Sequence, residues 1–221
     1  DFGFDTRVDR VKSLRSYEPV DPDAEELFTL AEASRLYYVM SPRLRTKMLV
    51  SMFSGLRTGE VIALKREDIY FDRGLLYVRA CMSEGQRSST KTYAGSRRIK
   101  LHPVLRRHLK EILASHDHDY VFISQRGQPF RHRQNFDREY KRAKEKAKVA
   151  DRRWYTFRKM FISMRYACSD AVPADIAREF GHKNVALGLN LYAEAMDHLG
   201  CKFEQIEFPL RPDFLAEVKS A

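Results

Sequence analysis

Six side chains in this sequence have the types and order needed to work on a phosphate ester. Arg57, in Ser54-Gly55-Leu56-Arg57-Thr58-Gly59-Glu60, sits where a turn leads into a helix, and its planar fork matches phosphate oxygens. Glu60 lies one helical turn on, placed to hold the guanidinium in orientation. Lys91 falls in Ser89-Thr90-Lys91-Thr92, a polar segment between two strands, from which a lysine can enter a DNA groove and protonate a leaving oxygen. Tyr155 and Arg158 are spaced i, i+3 near a helix start, so both face one way. His182 follows Gly181 at a boundary between helices, and Tyr192 stands on the helix that begins near residue 185. Taken singly, each also suits an ordinary role. Arg57 and Glu60 make a surface ion pair, Lys91 is solvated, Tyr155 and Tyr192 pack, and His182 caps a helix.

The scaffold that must position them reads as α+β, mainly α-helical with a small antiparallel sheet of about three strands. Residues 23–40 carry acids first and then Leu27, Leu30, Ala31, Ser34, Tyr37 and Tyr38 on helical spacing, with the acids where the helix dipole favours them. Ser41-Pro42 opens a second helix that Gly55 ends, and a short helix covers about 58–64. Residues 69–79 form strand segments around the turn Asp72-Arg73-Gly74. Residues 83–95 read as a polar loop or long hairpin tip, and 96–101 as a further strand. A helix over 103–115 places Leu105, Leu109, Ile112 and Leu113 on one face. A short strand is expected at 120–124, a turn at 125–129, and helices at about 134–149, 155–168, 173–180 and 185–198.

The chain has 221 residues, 43% of them hydrophobic and 12% aromatic, enough apolar material for a packed core. Disordered and low-complexity classes are excluded. No run of 18 apolar residues occurs, so no membrane-spanning helix is expected. Three cysteines, odd in number and far apart, fit a reducing, cytoplasmic compartment rather than a disulfide framework. His116-x-His118, beside Asp117 and Asp119, lacks the partners that would complete a zinc site and reads as a solvated helix-end loop. The net charge of +10 suits a polyanion partner through counterion release. Most of it is local. Residues 131–159 hold twelve basic and four acidic side chains, an excess of eight positive charges. Arg131, Arg133, Arg138, Lys141, Arg142, Arg152, Arg153 and Lys159 are therefore expected to contact phosphates along a face leading to Tyr155 and Arg158.

In order and spacing, Arg57, Lys91, Tyr155, Arg158, His182 and Tyr192 resemble the catalytic set of the tyrosine recombinase, or phage integrase, family. The matching stretch is 23–198, and the local context includes Thr90-Lys91-Thr92 ahead of Ser96-Arg97-Arg98-Ile99-Lys100-Leu101, then Phe180-Gly181-His182-Lys183 ten residues before Tyr192. The resemblance implies a site-specific DNA recombinase that cleaves and rejoins double-stranded attachment sites through a 3′-phosphotyrosine on Tyr192, with no metal, ATP or other cofactor. Two departures stand out. Tyr155 occupies a position where His or Lys is usual, a feature shared with some protelomerases, and Lys100 is a rival to Lys91. The resemblance also implies that residues 1–22 are a linker from an N-terminal DNA-binding domain. It further implies that 199–221 form a tail packing in cis or in trans, and that a homo-tetramer assembles on DNA with accessory bending proteins possible. A protelomerase or type IB topoisomerase-like enzyme shares the chemistry. A catalytically silent DNA-binding module is the alternative outside it.

Overall fold

The computed structural model describes residues 27–89, 96–131, 136–168 and 202–211. Thr29 starts α1 (Leu30–Val39): its hydroxyl accepts the Glu32 N–H at 3.1 Å while the Glu32 carboxylate takes the Thr29 N–H at 2.9 Å. That reciprocal cap satisfies two otherwise orphaned donors, which is why α1 begins later than the acid-led pattern from residue 23 suggests. Ser41 caps α2 (Pro42–Ser54), and Pro42 occupies its first turn. The short α3 (Thr58–Ala63) follows.

Three strands form the antiparallel sheet: β1 (Ile69–Tyr70), β2 (Leu75–Val78) and β5 (Arg97–Lys100), in the order β1-β2-β5. Between β2 and β5 the polar segment first forms a separate hairpin, β3 (Ala80–Ser83) with β4 (Gln86–Ser89). Its two turn residues, Glu84 and Gly85, have φ of 50° and 78°, the left-handed pair that matches strand twist. Four polar residues in β4 hide this strand from a hydrophobicity reading, since both of its faces are wet. The expected strand at 120–124 amounts to two isolated bridges, Lys65 with Tyr120 and Ile123 with Pro129. It lacks a continuous neighbour to pair with. The 116–119 loop is organised by Arg66, whose guanidinium bonds the carbonyls of Leu113, His116 and His118.

Helix α2 is the axis of the core, packed against α4 (Pro103–Ala114) on one flank and α6 (Thr156–Ala167) on the other, while α1 lies on α5 (Asp137–Ala147). Residues 202–211 lie on this chain's own core. Phe203 meets Phe161 and His102 at ring distances of 5.4 and 5.2 Å, and Phe208 meets Phe53 at 5.8 Å. His102 Nε2 donates to the Phe203 carbonyl while Nδ1 accepts the Val104 N–H. Only a neutral imidazole makes both bonds, and burial, partly opposed by the Phe203 bond, holds its pKa below the usual histidine value.

One buried group has no counterpart in the sequence-based expectations. Lys47, 1% exposed on α2, puts its amine 3.4 Å from the Phe130 ring centroid and 4.0 Å from that of Phe136. Burial first, and the charge of Arg43 second, hold its pKa well below the usual lysine value against the pull of Glu139. A base with a lowered folded-state pKa costs stability at neutral pH, and the cost fades as pH rises to the range of the unfolded lysine. Lys47→Met, which keeps length without charge, is expected to stabilise the fold at pH 7 by about 1–4 kcal/mol and by less at pH 10. Urea unfolding at the two pH values measures this. A loss at pH 7 would mean that the aromatic rings more than offset the desolvation.

Candidate active site

The site grows from the turn between α2 and α3. Gly55 ends α2 with φ of 60°, and a Cβ there would collide with the Phe161 ring of α6. Glycine is thus required twice, by the left-handed backbone and by the close approach of α6. The same turn receives Arg158. This residue is 1% exposed, and its Nη1 donates to the Gly55 carbonyl. Two residues after Gly55, Arg57 begins α3 with its side chain 47% exposed.

Glu60 organises these groups from below. At 4% exposure, its Oε2 accepts the Arg57 N–H at 2.8 Å and its Oε1 takes Arg57 Nη1 at 3.2 Å. Arg97 on β5 adds a two-pronged pair, Nη1 to Oε1 at 3.0 Å and Nη2 to Oε2 at 2.8 Å. Burial would raise the Glu60 pKa, but the hydrogen bonds and charge of Arg97, then those of Arg57, outweigh it and hold the carboxyl below its ordinary value. Glu60 was legible as a partner for Arg57. Arg97 was missed as a site residue, although the alternation along β5 signals it: Arg97 and Ile99 face inward while Arg98 and Lys100 are exposed.

The start of α6 supplies the opposite wall. Trp154 anchors it, donating Nε1 to Ser51 Oγ at 3.1 Å and packing edge-on against Phe136, Tyr140 and Phe157. The i, i+3 pair then separates by depth, Tyr155 being 44% exposed and Arg158 buried. Burial first, then the positive charges of Arg57 and Arg97, pull the Arg158 pKa down to about 10, with Tyr155 and Glu60 opposing. It remains a cation at neutral pH.

Arg57 and Tyr155 line a cleft of about 640 Å³, together with Cys81 to Glu84 at the tip of the β3–β4 hairpin, Arg131, Phe136 and Asp137. An exposed guanidinium and a phenol hydroxyl suit a tetrahedral oxyanion; Arg158, 1% exposed, is not among the residues that line the cleft. Lys91, Arg133, His182 and Tyr192 lie outside the described residues. Lys100 stands at the far end of β5, opposite Leu75 and not among the cleft residues. Among the expected phosphate contacts, Arg131, Arg138, Lys141, Arg142 and Arg153 are exposed and Lys159 is half-buried. Arg152 is a correction. It is buried, with Nη1 3.0 Å from Glu32 Oε1 and its guanidinium 4.9 Å from the Phe28 ring centroid, so its charge ties α6's lead-in to α1.

A sequence model of the phage integrase family matches residues 23–198. No curated protein sequence matches the chain. Among solved structures, XerA recombinase is similar with a TM-score of 0.65 and 20% identity, over 83% of this chain and 65% of that one. The Tn1549 transposon integrase in complex with circular intermediate DNA gives 0.67 and 17%, over 80% and 64%. A lambda integrase dimer bound to a COC′ core site gives 0.59 and 18%, over 90% and 55%. The chain therefore spans less than two thirds of these proteins, and at such identities the likeness is one of fold.

Glu60→Gln is expected to destabilise the fold at pH 7 by about 3–5 kcal/mol, the usual cost of removing one partner from a buried ion pair. Because the carboxyl titrates below its ordinary value of 4.5, its contribution is present above that pH and lost as pH falls through the folded-state value. The gap between parent and variant should therefore narrow at pH 3 in urea unfolding. Equal stability at pH 7 would remove Glu60 from this role.

Proposed function

The chain belongs to the phage integrase family, and from that membership and the geometry of the cleft we propose that it is the catalytic part of a site-specific DNA recombinase, one that breaks and rejoins DNA through a covalent 3′-phosphotyrosine. The observation that carries this reading is the cleft shared by Arg57 and Tyr155, with the Arg158 guanidinium held at the Gly55 turn two residues before Arg57. Such a cleft is an anion site prepared in advance. A phosphate held there is bound more tightly as negative charge builds on the non-bridging oxygens.

In the proposed reaction the Tyr192 oxygen attacks phosphorus and the bond to the 5′ oxygen breaks. His182 takes part in moving the tyrosine's proton, and Lys91 gives a proton to the departing 5′ oxygen. Tyr155 serves as a hydrogen-bond donor to the phosphate through its hydroxyl. The free 5′ hydroxyl of a partner strand then attacks the phosphotyrosine, reversing the same steps. Bond energy is conserved, so neither ATP nor a metal is required by this scheme. The placing of Lys100 at the far end of β5 favours Lys91 as the proton donor. The wider assembly in this reading is a homo-tetramer on two attachment sites, with a DNA-clamping domain N-terminal to this part. Exchange of residues beyond 211 between protomers would couple cleavage to assembly, and DNA-bending proteins would assist.

A nicked suicide duplex carrying the attachment site tests the proposal with the full-length protein. A covalent adduct that disappears in Tyr192→Phe is expected, and an adduct that persists in that variant would overturn the nucleophile assignment. Arg158→Lys, which keeps charge but loses the planar fork, is expected to slow adduct formation by about 10²–10³-fold, the scale for removing one oxyanion donor. The joined products separate this reading from its relatives: recombinant joints, closed hairpins or relaxed circles.

A further inference from the structure

Arg97 opens β5 opposite Val78 of β2 and turns inward with Ile99. Its side chain is 7% exposed and is not among those that line the cleft, so it does not meet a ligand there directly. What it meets is Glu60. A carboxylate has about four lone-pair sites, and here each is taken. Arg97 fills two with parallel prongs at 3.0 and 2.8 Å, the Arg57 N–H fills one at 2.8 Å, and Arg57 Nη1 fills the last at 3.2 Å.

The two arginines thus share one acid unequally. Arg97 is bound fork to fork, the geometry of the strongest guanidinium–carboxylate pairs. Arg57 touches the same carboxylate through one guanidinium nitrogen, at the longest of the four distances, and among the described residues that is its one side-chain hydrogen bond. The remaining donors of the Arg57 fork, on a side chain 47% exposed, stay available to the cleft. Without Arg97, two lone pairs of a buried carboxylate would be left empty, at a cost that favours any donor in reach. The Arg57 fork is in reach, already tethered to Oε1 by one prong.

We propose that Arg97 is a positioning residue for the reaction: by saturating Glu60 it keeps that carboxylate from closing on Arg57, whose guanidinium therefore stays open to the scissile phosphate. The inference rests on the recombinase reading for the identity of the phosphate, and adds to it a residue that acts only through another. It also accounts for an acid with two arginine partners. Glu60 with Arg57 alone would form a closed ion pair, ordered but neutralised. With Arg97 as its main partner, Glu60 orients Arg57 and leaves that positive charge in excess.

Two readouts on the full-length protein separate this role from a merely structural one. The first is the rate of covalent adduct formation on the nicked suicide duplex at saturating DNA. Arg97→Gln is expected to slow it by about 10²–10³-fold, the scale for loss of one oxyanion donor. The double variant Arg97→Gln/Glu60→Gln, in which no carboxylate remains to capture Arg57, is expected to regain about tenfold or more, a coupling of the size found between residues in contact. The second readout needs no DNA: phenylglyoxal labelling of Arg57, followed by peptide mass spectrometry, should slow in Arg97→Gln and return in the double variant. Urea unfolding checks that each variant folds. If Arg97→Gln does not fold, Arg97→Lys, which keeps the charge but offers no fork, takes its place with a smaller loss in both readouts. Arg57 labelled at the parental rate in the folded variant, or a double variant no faster than the single one, overturns the role of Arg97; with the parental adduct formed, the recombinase reading still stands. Protection of Arg57 in Arg97→Gln with no adduct from the parent supports Arg97 as the residue that keeps Arg57 open and removes the recombinase reading.

Discussion

A single buried carboxylate carries the geometry of the cleft. Glu60 satisfies the first backbone donor of α3, restrains the Arg57 guanidinium and closes a bidentate pair with Arg97 of β5. A carboxylate taken so far from water is costly unless its lone pairs are filled, and here four donor contacts from two arginines fill them. The arrangement joins a helix of six residues, too short to persist alone, to the sheet. It also leaves the Arg57 side chain half-exposed with its backbone fixed, as a group must be if it is to meet a ligand without first being ordered.

The second constraint is the approach of α6 to the end of α2. Without a side chain at Gly55, Phe161 can occupy the space beside the turn, and Arg158 can reach the Gly55 carbonyl from inside the core. The guanidinium is thereby desolvated and placed near two other arginines, which is why its proton is held less firmly than in a free arginine. Folding energy from aromatic packing around Trp154, Phe157 and Tyr140 sustains this unfavourable electrostatics.

The tail segment 202–211 shows how much of the core depends on chain far from the cleft. Phe203 and Phe208 are buried against Phe53, Phe161 and Tyr37, Ile206 is buried beside them in sequence, and Leu210 donates its N–H to Ser34 Oγ and accepts the Tyr38 hydroxyl at its carbonyl. Phe161 is thus touched by the tail and approached by Gly55, so the tail and the turn between α2 and α3 share a packing partner. His102 stays neutral to hold that junction, since each of its nitrogens already has a fixed role as donor or acceptor.

Local signals in the sequence were sufficient for α2 and α4, because Pro42, Gly55 and Pro103 act within one turn of themselves. The order of Arg57, Tyr155 and Arg158 was likewise readable, as was Glu60 as a neighbour of Arg57. Local reading failed where the deciding partner was distant. Arg97 lies 37 residues from Glu60, β4 has no apolar face, and Arg152 and Arg153, adjacent in the chain, end up buried and exposed respectively. The excess charge over residues 131–159 was a property of composition, but which of those cations meet solvent depended on α5 and α6 packing against α1 and α2. Residue types and spacing by themselves determined the fold class and the family. Burial, which arises only when distant segments exclude water together, decided which charges are committed within the fold and which remain for a ligand.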